Sequence, residues 1–286
     1  MKKHIYVCTP SAPFQYDKKF VKKAYDNLQA LGFEITFSKH MFEDRGNTSS
    51  SIENRLQDLH EGFTNDKYDI VMASRGGWNS NELLPHIDYD LISKNKKPFF
   101  GMSDMTTLCV NLFQNAGIPT VYGQLFLHFG LTNDMSKFTG FVELTENMDS
   151  YRPTSFLHML TEENIVKPGI MKGTLLGGNL AVLCWLIGTD YSLKVYDDTI
   201  LFLEDDEETN GFYWQMYLNH MKQAGYFRKI KGIIFGKTLL ETEFNKNSSF
   251  KEIIRLIFEE YDFPIYIEAD FGHIDFPKPI VYGSKI

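Results

Sequence analysis

Apolar and polar residues alternate along the first 123 residues in a way that predicts strands separated by helices. Four short apolar runs are typical of buried strands: 4–8, 33–37, 69–73 and 97–101. Three segments between or after them have apolar residues at helical spacing: 20–31, 51–63 and 105–116. Strands that alternate with helices of this length predict βαβ units and a parallel sheet.

The alternation returns after residue 173. Three strands are predicted at 199–203, 232–235 and 265–268, and helices are predicted up to Gly188 and over 211–224 and 250–260. The pattern therefore predicts an α/β chain with a parallel-sheet, flavodoxin- or Rossmann-like domain over 1–123 and a smaller α/β domain over 173–286. Residues 124–172 are less periodic, and we interpret them as a linker and substrate-covering segment.

The composition and net charge exclude several classes of protein but do not identify the function. The 286 residues are 43% hydrophobic and 23% charged, with a formal net charge of −8, an ordinary globular balance that argues against a nucleic-acid binder. No apolar run approaches the roughly 18 residues of a membrane span. The three cysteines, Cys8, Cys109 and Cys184, form no CxxC pair and are typical of reduced thiols. We expect a cytoplasmic protein that binds neither nucleic acid nor membrane.

The strongest local chemical motif is Gly101-Met-Ser103-Asp104, at the end of a predicted strand and before a predicted helix. A serine on such a turn is exposed above the sheet, and the backbone N–H groups of the helix start can stabilise an oxyanion. The alternative is that Ser103 only caps the helix, a role that serine fills well. The residues alone leave both interpretations open.

A serine nucleophile needs a base and a carboxylate that orients it. His273 follows Gly272 in a loop after a strand, whereas histidines in polar stretches, such as His40, are expected at the surface. Glu204 ends an apolar strand, and the acidic residues 205–208 behind it are expected to form a solvated face. A divalent metal on this acidic run is the alternative, but the run has neither the spacing of an EF-hand nor a histidine partner.

Five segments together resemble the LD-carboxypeptidase family, which includes the microcin C self-immunity peptidases. They are Ser74–Ile92 with its Arg-Gly-Gly, Gly101–Thr106, Leu176–Leu180 with its Gly-Gly-Asn, Ile200–Asp205 and Phe271–His273. The resemblance implies two α/β domains with the active site between them, a homodimer, and no metal or other cofactor. It implies a triad of Ser103 as nucleophile, His273 as general base and Glu204 as its orienting carboxylate.

The same resemblance assigns further site residues. The backbone N–H groups of Gly77 and Asp104 would form the oxyanion hole, and Asn179 would contact the substrate. A carboxypeptidase also needs a cation for the free carboxylate of its substrate, and Arg75, with Gly76 beside it, is the candidate. A structural ion pair of Arg75 is the alternative.

Three functions remain open at the level of the sequence. The leading one is removal of a C-terminal D-amino acid from a murein peptide, and the second is cleavage of a peptidyl-nucleotide conjugate by a microcin-immunity relative. The third is an inactive relative that only binds peptides. The immunity branch is expected to stack a nucleobase on a tryptophan before the Gly-Gly-Asn turn, and residues 124–172 contain none. Four aromatic residues could substitute there: Phe126, Phe129, Tyr151 and Phe156.

Overall fold

The computed structural model describes residues 2–148, 151, 157, 160–206, 211–238 and 249–286. The chain divides into two compact units, Met1–Tyr151 and Arg152–Ile286. Each has its own sheet with helices packed on it, which confirms the predicted α/β class. All three cysteines are free and buried, and burial raises the pKa of each thiol, which suits the expected reduced state.

The first unit is built on parallel strands in the order β2-β1-β3-β4-β5. Their bounds are β1 His4–Cys8, β2 Glu34–Phe37, β3 Ile70–Ala73, β4 Phe99–Gly101 and β5 Thr120–Tyr122. This order is flavodoxin-like, and its direction reverses between β1 and β3, where the loops that follow the two strands meet. Ligand sites of doubly wound sheets lie at such a reversal, outside the carboxyl ends of the strands.

Helices cover the sheet of the first unit. Their bounds are α1 Lys18–Ala30, α2 Ile52–Thr64, α3 Tyr89–Lys94, α4 Thr106–Asn111, α5 His128–Leu131 and α6 Thr139–Glu146. Asp17 caps α1 by accepting a hydrogen bond from the amide of Phe20, and Ser51 caps α2 from Asn54. The predicted helix over 105–116 is divided, because α4 continues as a π-helical turn at Leu112–Ala116.

Residues 124–148, for which the sequence pattern predicts no regular element, contain α5 and α6 and belong to the first unit. Phe129, Phe138 and Phe141 are fully buried there, and the ring of Phe129 contacts the other two. These helices are four and eight residues long, too short to show a helical period in the sequence.

The second unit contains strands in the order β6-β10-β9-β8-β7, parallel except for β6, which runs antiparallel to β10. The bounds of the strands in this unit are β6 Ile165–Lys167, β7 Thr174–Asn179, β8 Thr199–Glu204, β9 Gly232–Gly236, β10 Ile265–Ala269 and β11 Ile280–Val281. The last residues, 283–286, exchange backbone hydrogen bonds with Gly173 and Leu175 and so cover the outer edge of β7.

In the described part of the second unit, three helices pack on the sheet: α7 Leu180–Leu186, α8 Gly211–Gln223 and α9 Phe250–Ile257. Trp214 of α8 is buried with its ring edge-on to Phe235 and Phe250, which joins helix, sheet and helix in one core. Throughout the described parts of both units, every helix is too short or too polar to cross a lipid bilayer.

Candidate active site

Ser103 lies on a strained turn directly beyond β4. Its φ is +65°, in the left-handed region that a non-glycine residue adopts at a cost of about 1 to 3 kcal/mol. The amide of Ser103 donates to the hydroxyl of Tyr122, at 3.1 Å. Its side chain caps neither the short 3-10 turn Ser103–Met105 nor α4, and Oγ has no hydrogen bond within the described residues. The geometry therefore favours the nucleophile interpretation of Ser103 over the helix cap.

The Arg-Gly-Gly loop after β3 packs against this serine, because β3 and β4 are neighbouring parallel strands. A Cβ on Gly76 would lie 2.7 Å from Cβ and 3.0 Å from Oγ of Ser103, so only glycine fits beside the hydroxyl. Gly77 has a φ of +131°, and a Cβ there would lie 2.2 Å from Cβ of Ala12. The two glycines thus allow the backbone of this loop to approach both Ser103 and the loop after β1.

Arg75 has no carboxylate partner within the described residues. Its guanidinium donates one hydrogen bond, to the backbone oxygen of Pro13 at 3.2 Å, and its side chain is half-buried. The structural ion pair that was the alternative to a carboxylate clamp is therefore not found among those residues. The charge of Arg75, the residue before Gly76, therefore stays available to bind a ligand.

Asp104 is buried, and its carboxylate binds two neighbouring loops. Oδ2 accepts from Oγ of Ser11 at 2.6 Å and from the amide of Ser80 at 3.0 Å. Burial raises the pKa of this carboxyl, and the hydrogen bonds from Ser11 and Ser80 oppose the rise without cancelling it. The amide of Asp104, which the resemblance places in the oxyanion hole, comes directly after Ser103 in the chain.

Glu204 and His273 form a hydrogen-bonded pair in the second unit. Glu204 ends β8 and is fully buried, and its Oε2 accepts from Nδ1 of His273 at 2.6 Å. A Cβ on Gly272 would lie 2.9 Å from the same oxygen, so the backbone of the His273 loop reaches Glu204 only because residue 272 is glycine. With Nδ1 held in this way, Nε2 of His273 is the nitrogen that can accept a proton.

The electrostatics of this pair favour a charged histidine. Burial lowers the pKa of His273, but the Glu204 carboxylate raises it more, through its charge and its hydrogen bond, and Asp206 and Asp205 add to the rise. The pKa of His273 is raised from 6.5 to about 9. Glu204 therefore fixes the orientation of the imidazole and stabilises the imidazolium that forms when the histidine takes up a proton.

Asn179 lies beside Glu204, because β7 and β8 place the two residues in register. Its side chain is buried, donates to Oδ1 of Asp205 at 3.1 Å and to Oε1 of Glu204 at 3.4 Å, and caps α7 by accepting from the amide of Val182. Its predicted contact with a substrate stays a prediction. The hydrogen bonds of the side chain in this structure include those to the two carboxylates and that from the amide of Val182.

Two expectations about polar residues were wrong. Asp205 is buried rather than part of a solvated face, because it accepts hydrogen bonds from Asn179 and from the amide of Ala181. His40 is buried rather than at the surface, because its Nδ1 lies 2.8 Å from Oδ1 of Asp58. Residues 207 and 208 of the acidic run lie outside the described residues. Within the described ranges, no group of three or more His, Cys, Asp or Glu side chains is arranged to hold a metal ion.

A serine with a left-handed backbone at the end of a parallel strand, and a histidine oriented by a buried glutamate, are the chemical parts of a serine hydrolase. Comparison with protein families narrows this class. Residues 5–123 match the N-terminal domain of LD-carboxypeptidases and residues 172–286 match their C-terminal domain. The chain therefore belongs to the LD-carboxypeptidase family, as the resemblance predicted, and is a serine-type carboxypeptidase.

Relatives from both branches of the family are similar to this chain. A probable murein peptide carboxypeptidase of Bacillus subtilis is 32% identical, over 80% of this chain and 70% of its own length. The microcin C7 self-immunity protein of Escherichia coli is 26% identical, over 91% of this chain and 82% of its own length. Among solved structures, the MccF-like protein of Bacillus anthracis is 29% identical with a TM-score of 0.83, covering 99% of this chain and 92% of that one.

Proposed function

We propose that this enzyme removes a C-terminal D-amino acid from a murein peptide in the cytoplasm by cleaving an L–D amide bond. The observation that carries the proposal is Arg75, whose guanidinium has no carboxylate partner in the described part of the chain and lies next to the glycine that packs against Ser103. A carboxypeptidase binds a substrate with a free carboxylate, and guanidinium is the side chain best shaped to bind one. The murein peptide carboxypeptidase relative supports the same substrate class.

In the proposed reaction Oγ of Ser103 attacks the carbonyl carbon of the scissile amide and gives its proton to Nε2 of His273. The amides of Gly77 and Asp104 donate to the oxyanion that forms. His273 then protonates the leaving amine, the C–N bond breaks, and the D-amino acid departs. Water, deprotonated by the same histidine, hydrolyses the acyl-enzyme and restores Ser103.

A peptidyl-nucleotide conjugate is the second candidate substrate, and the similarity to the microcin C7 self-immunity protein favours it. Stacking of a nucleobase would need an exposed aromatic side chain. Of the four aromatic residues that could have replaced the missing tryptophan, Phe126 and Phe129 are fully buried and Tyr151 is half-buried. Phe156 lies outside the described residues. The remaining alternative, an inactive peptide-binding relative, is disfavoured by the hydrogen bond between Glu204 and His273, because a retired site has no need of an oriented base.

Mass spectrometry of one mixed incubation tests the proposal. A murein tetrapeptide ending in D-alanine and a peptidyl-adenylate analogue are incubated with wild type, with Ser103→Ala and with Ser93→Ala, a control at a serine that bonds only to the backbone of its own helix. We expect loss of D-alanine with wild type and Ser93→Ala and none with Ser103→Ala. Cleavage of the nucleotide conjugate alone would assign the chain to the immunity branch, and cleavage by Ser103→Ala would refute the nucleophile.

The role of Arg75 is tested with a pair of peptides that differ only at the C-terminus, one with a free carboxylate and one amidated. Wild type is expected to favour the free carboxylate by about 10- to 100-fold in kcat/KM, since a hydrogen bond to a charged group contributes about 1.5–3 kcal/mol. Arg75→Met should lose this preference while cleaving the amidated peptide as wild type does. An unchanged preference in Arg75→Met would show that another group binds the carboxylate.

A further inference from the structure

We propose that the side chain of Asp104 is a positioning residue: its carboxylate, through Ser11 and Ser80, holds the loop that carries Gly77 against the turn that carries Ser103. The inference rests on the proposed function, because it concerns the same oxyanion hole. It assigns to the carboxylate a role separate from the predicted role of the backbone amide of Asp104. It also brings Ser11 and Ser80 into the active-site machinery.

The two expected oxyanion donors belong to different loops. Gly77 follows β3, whereas Asp104 follows β4, and the strands that precede them are hydrogen-bonded neighbours. A backbone pairing fixes the spacing of the strands but not that of the loops beyond their ends. Oxyanion donors act only if both are within about 2.7–3.1 Å of one oxygen position, so an additional connection between the loops is needed.

Asp104 supplies this connection. Its Oδ2 accepts from the amide of Ser80, three residues after Gly77, while its backbone oxygen accepts from Oγ of Ser80 at 2.9 Å. The turn and the loop are therefore joined by two hydrogen bonds, both donated by Ser80 and both accepted by Asp104. Both residues are buried, which makes each of these bonds costly to break.

Ser11 extends the connection to a third loop. Its Oγ lies 2.6 Å from Oδ2 of Asp104 and 3.1 Å from the backbone oxygen of Trp78, the residue after Gly77. The loop of Ser11 follows β1, and Gly77 packs directly on Ala12 in that loop. The carboxylate of Asp104 thus joins the turn that carries Ser103 to the loop after β1 and to the loop after β3, the two strands between which the strand order reverses.

Arg55 ties two of these loops independently. Its guanidinium donates to the backbone oxygens of Pro10 and Asn79, each at 3.2 Å, and forms an ion pair with Glu82. Loss of the Asp104 carboxylate should therefore leave the loops folded and shift them only locally. That is the behaviour of a positioning residue, whose removal changes the rate more than the fold.

The test compares Asp104→Ala, Asp104→Asn and Ser11→Ala with a matched control, Ser50→Ala. Ser50 is also a buried serine whose hydroxyl donates to a carboxylate, that of Glu43, and its side-chain hydrogen bonds are with Glu43 and Asn54. For each folded variant, kcat and KM are measured on the murein tetrapeptide, together with the rate at which a fluorophosphonate labels Ser103. Thermal unfolding by circular dichroism identifies the variants that fold.

We expect kcat and the labelling rate of Asp104→Ala to fall about 10- to 100-fold with KM nearly unchanged, because a small displacement of an oxyanion donor weakens binding of the transition state only. Asp104→Asn should restore most of the rate, since its amide oxygen, in the place of Oδ2, can still accept from both Ser80 and Ser11. Ser11→Ala should lie between Asp104→Ala and wild type, and Ser50→Ala should match wild type. If Asp104→Ala does not fold, the comparison of Ser11→Ala with Ser50→Ala decides.

Four results would overturn the inference. A wild-type labelling rate in Asp104→Ala, or a rate in Ser11→Ala equal to that of Ser50→Ala, would show that the carboxylate does not position the donors while Ser103 remains the nucleophile. A loss in Asp104→Asn as large as that in Asp104→Ala would assign the effect to charge instead of geometry. Labelling of wild type at a residue other than Ser103 would overturn the proposed function and this inference together.

Discussion

Replacing Glu204 with glutamine is expected to lower the pKa of His273 from about 9 towards 6.5. Glutamine keeps the size of the side chain and an oxygen that can accept the hydrogen bond from Nδ1, at 2.6 Å in the native pair, but it removes the negative charge. Burial, which lowers the pKa of His273, stays in place, while Asp206 and Asp205 still raise it. The pKa should therefore fall by most of the difference between the two values.

The size of the effect follows from the same values. A pKa of about 9 instead of 6.5 corresponds to about 3 kcal/mol in favour of the imidazolium, at 1.36 kcal/mol for each pH unit. At pH 7 only about 1% of His273 would then be neutral and able to act as a base. We expect kcat/KM of wild type to rise about tenfold for each pH unit until it levels off near pH 9.

The same raised pKa makes the stability of the protein depend on pH. Because the folded value lies above the unfolded one, the contribution of His273 is complete below pH 6.5 and is lost as the pH rises towards 9. The free energy of unfolding of wild type should fall by up to about 3 kcal/mol across this window. Glu204→Gln should show a much flatter dependence over the same range.

The assay is an NMR titration of the imidazole Cε1–H signals, with His273→Gln identifying the resonance. Glu259→Gln is the control, since it removes the charge of an exposed glutamate in the same unit. It should leave the titration of His273 unchanged. A wild-type His273 that titrates near 6.5, or one whose pKa does not move in Glu204→Gln, would refute the reasoning that the buried carboxylate sets the charge of the base.

Three further substitutions test the geometry around Ser103 and around the pair of Glu204 and His273. Gly76→Ala should lower kcat by about 100-fold, since its Cβ would force Ser103 to move by several tenths of an ångström, and steady-state kinetics on the folded variant measures this. Tyr122→Phe should cost about 1 to 3 kcal/mol in urea unfolding, because the amide of Ser103 loses its partner; an unchanged midpoint would contradict this. Gly272→Ala should destabilise the chain by about 1 to 3 kcal/mol, because its φ is +104°, and its Cβ should displace Glu204, so that the NMR titration of the base changes as well.

Much of the fold could be predicted from local pattern alone. The strand at 4–8 and the helices near 20–31 and 51–63 agree with β1, α1 and α2 to within two residues, because buried parallel strands and amphipathic helices have patterns visible in short windows. The strand β7 was not predicted, since Gly177 and Gly178 are typical of a turn. The structure shows the reason for glycine: a Cβ on Gly177 would lie 1.8 Å from the backbone oxygen of Phe202 on the neighbouring strand.

Some residues of the candidate site could likewise be predicted from the sequence, and others could not. Ser103, Glu204 and His273 could be singled out because each follows or ends an apolar strand, where the chain presents side chains at the edge of a sheet. Ser11 and Tyr122 carried no comparable signal. Their contacts with the nucleophile turn depend on which strands are neighbours, and strand order is a property of the folded sheet that local pattern does not contain.

Several residues that break local rules in this protein surround the proposed chemistry. Ser103 adopts a backbone conformation that favours glycine, and the carboxylates of Asp104 and Glu204 are buried although burial opposes their charge. Each violation is compensated by hydrogen bonds within its own unit. The hydroxyl of Tyr122 accepts from the strained amide, Ser11 and Ser80 donate to the carboxylate of Asp104, and His273 donates to that of Glu204. A protein that only bound peptides would gain nothing from these costs, whereas a hydrolase requires a nucleophile, two donors and a base whose positions are fixed before the substrate arrives. The compensating contacts are therefore the strongest structural argument that the chain is selected for catalysis.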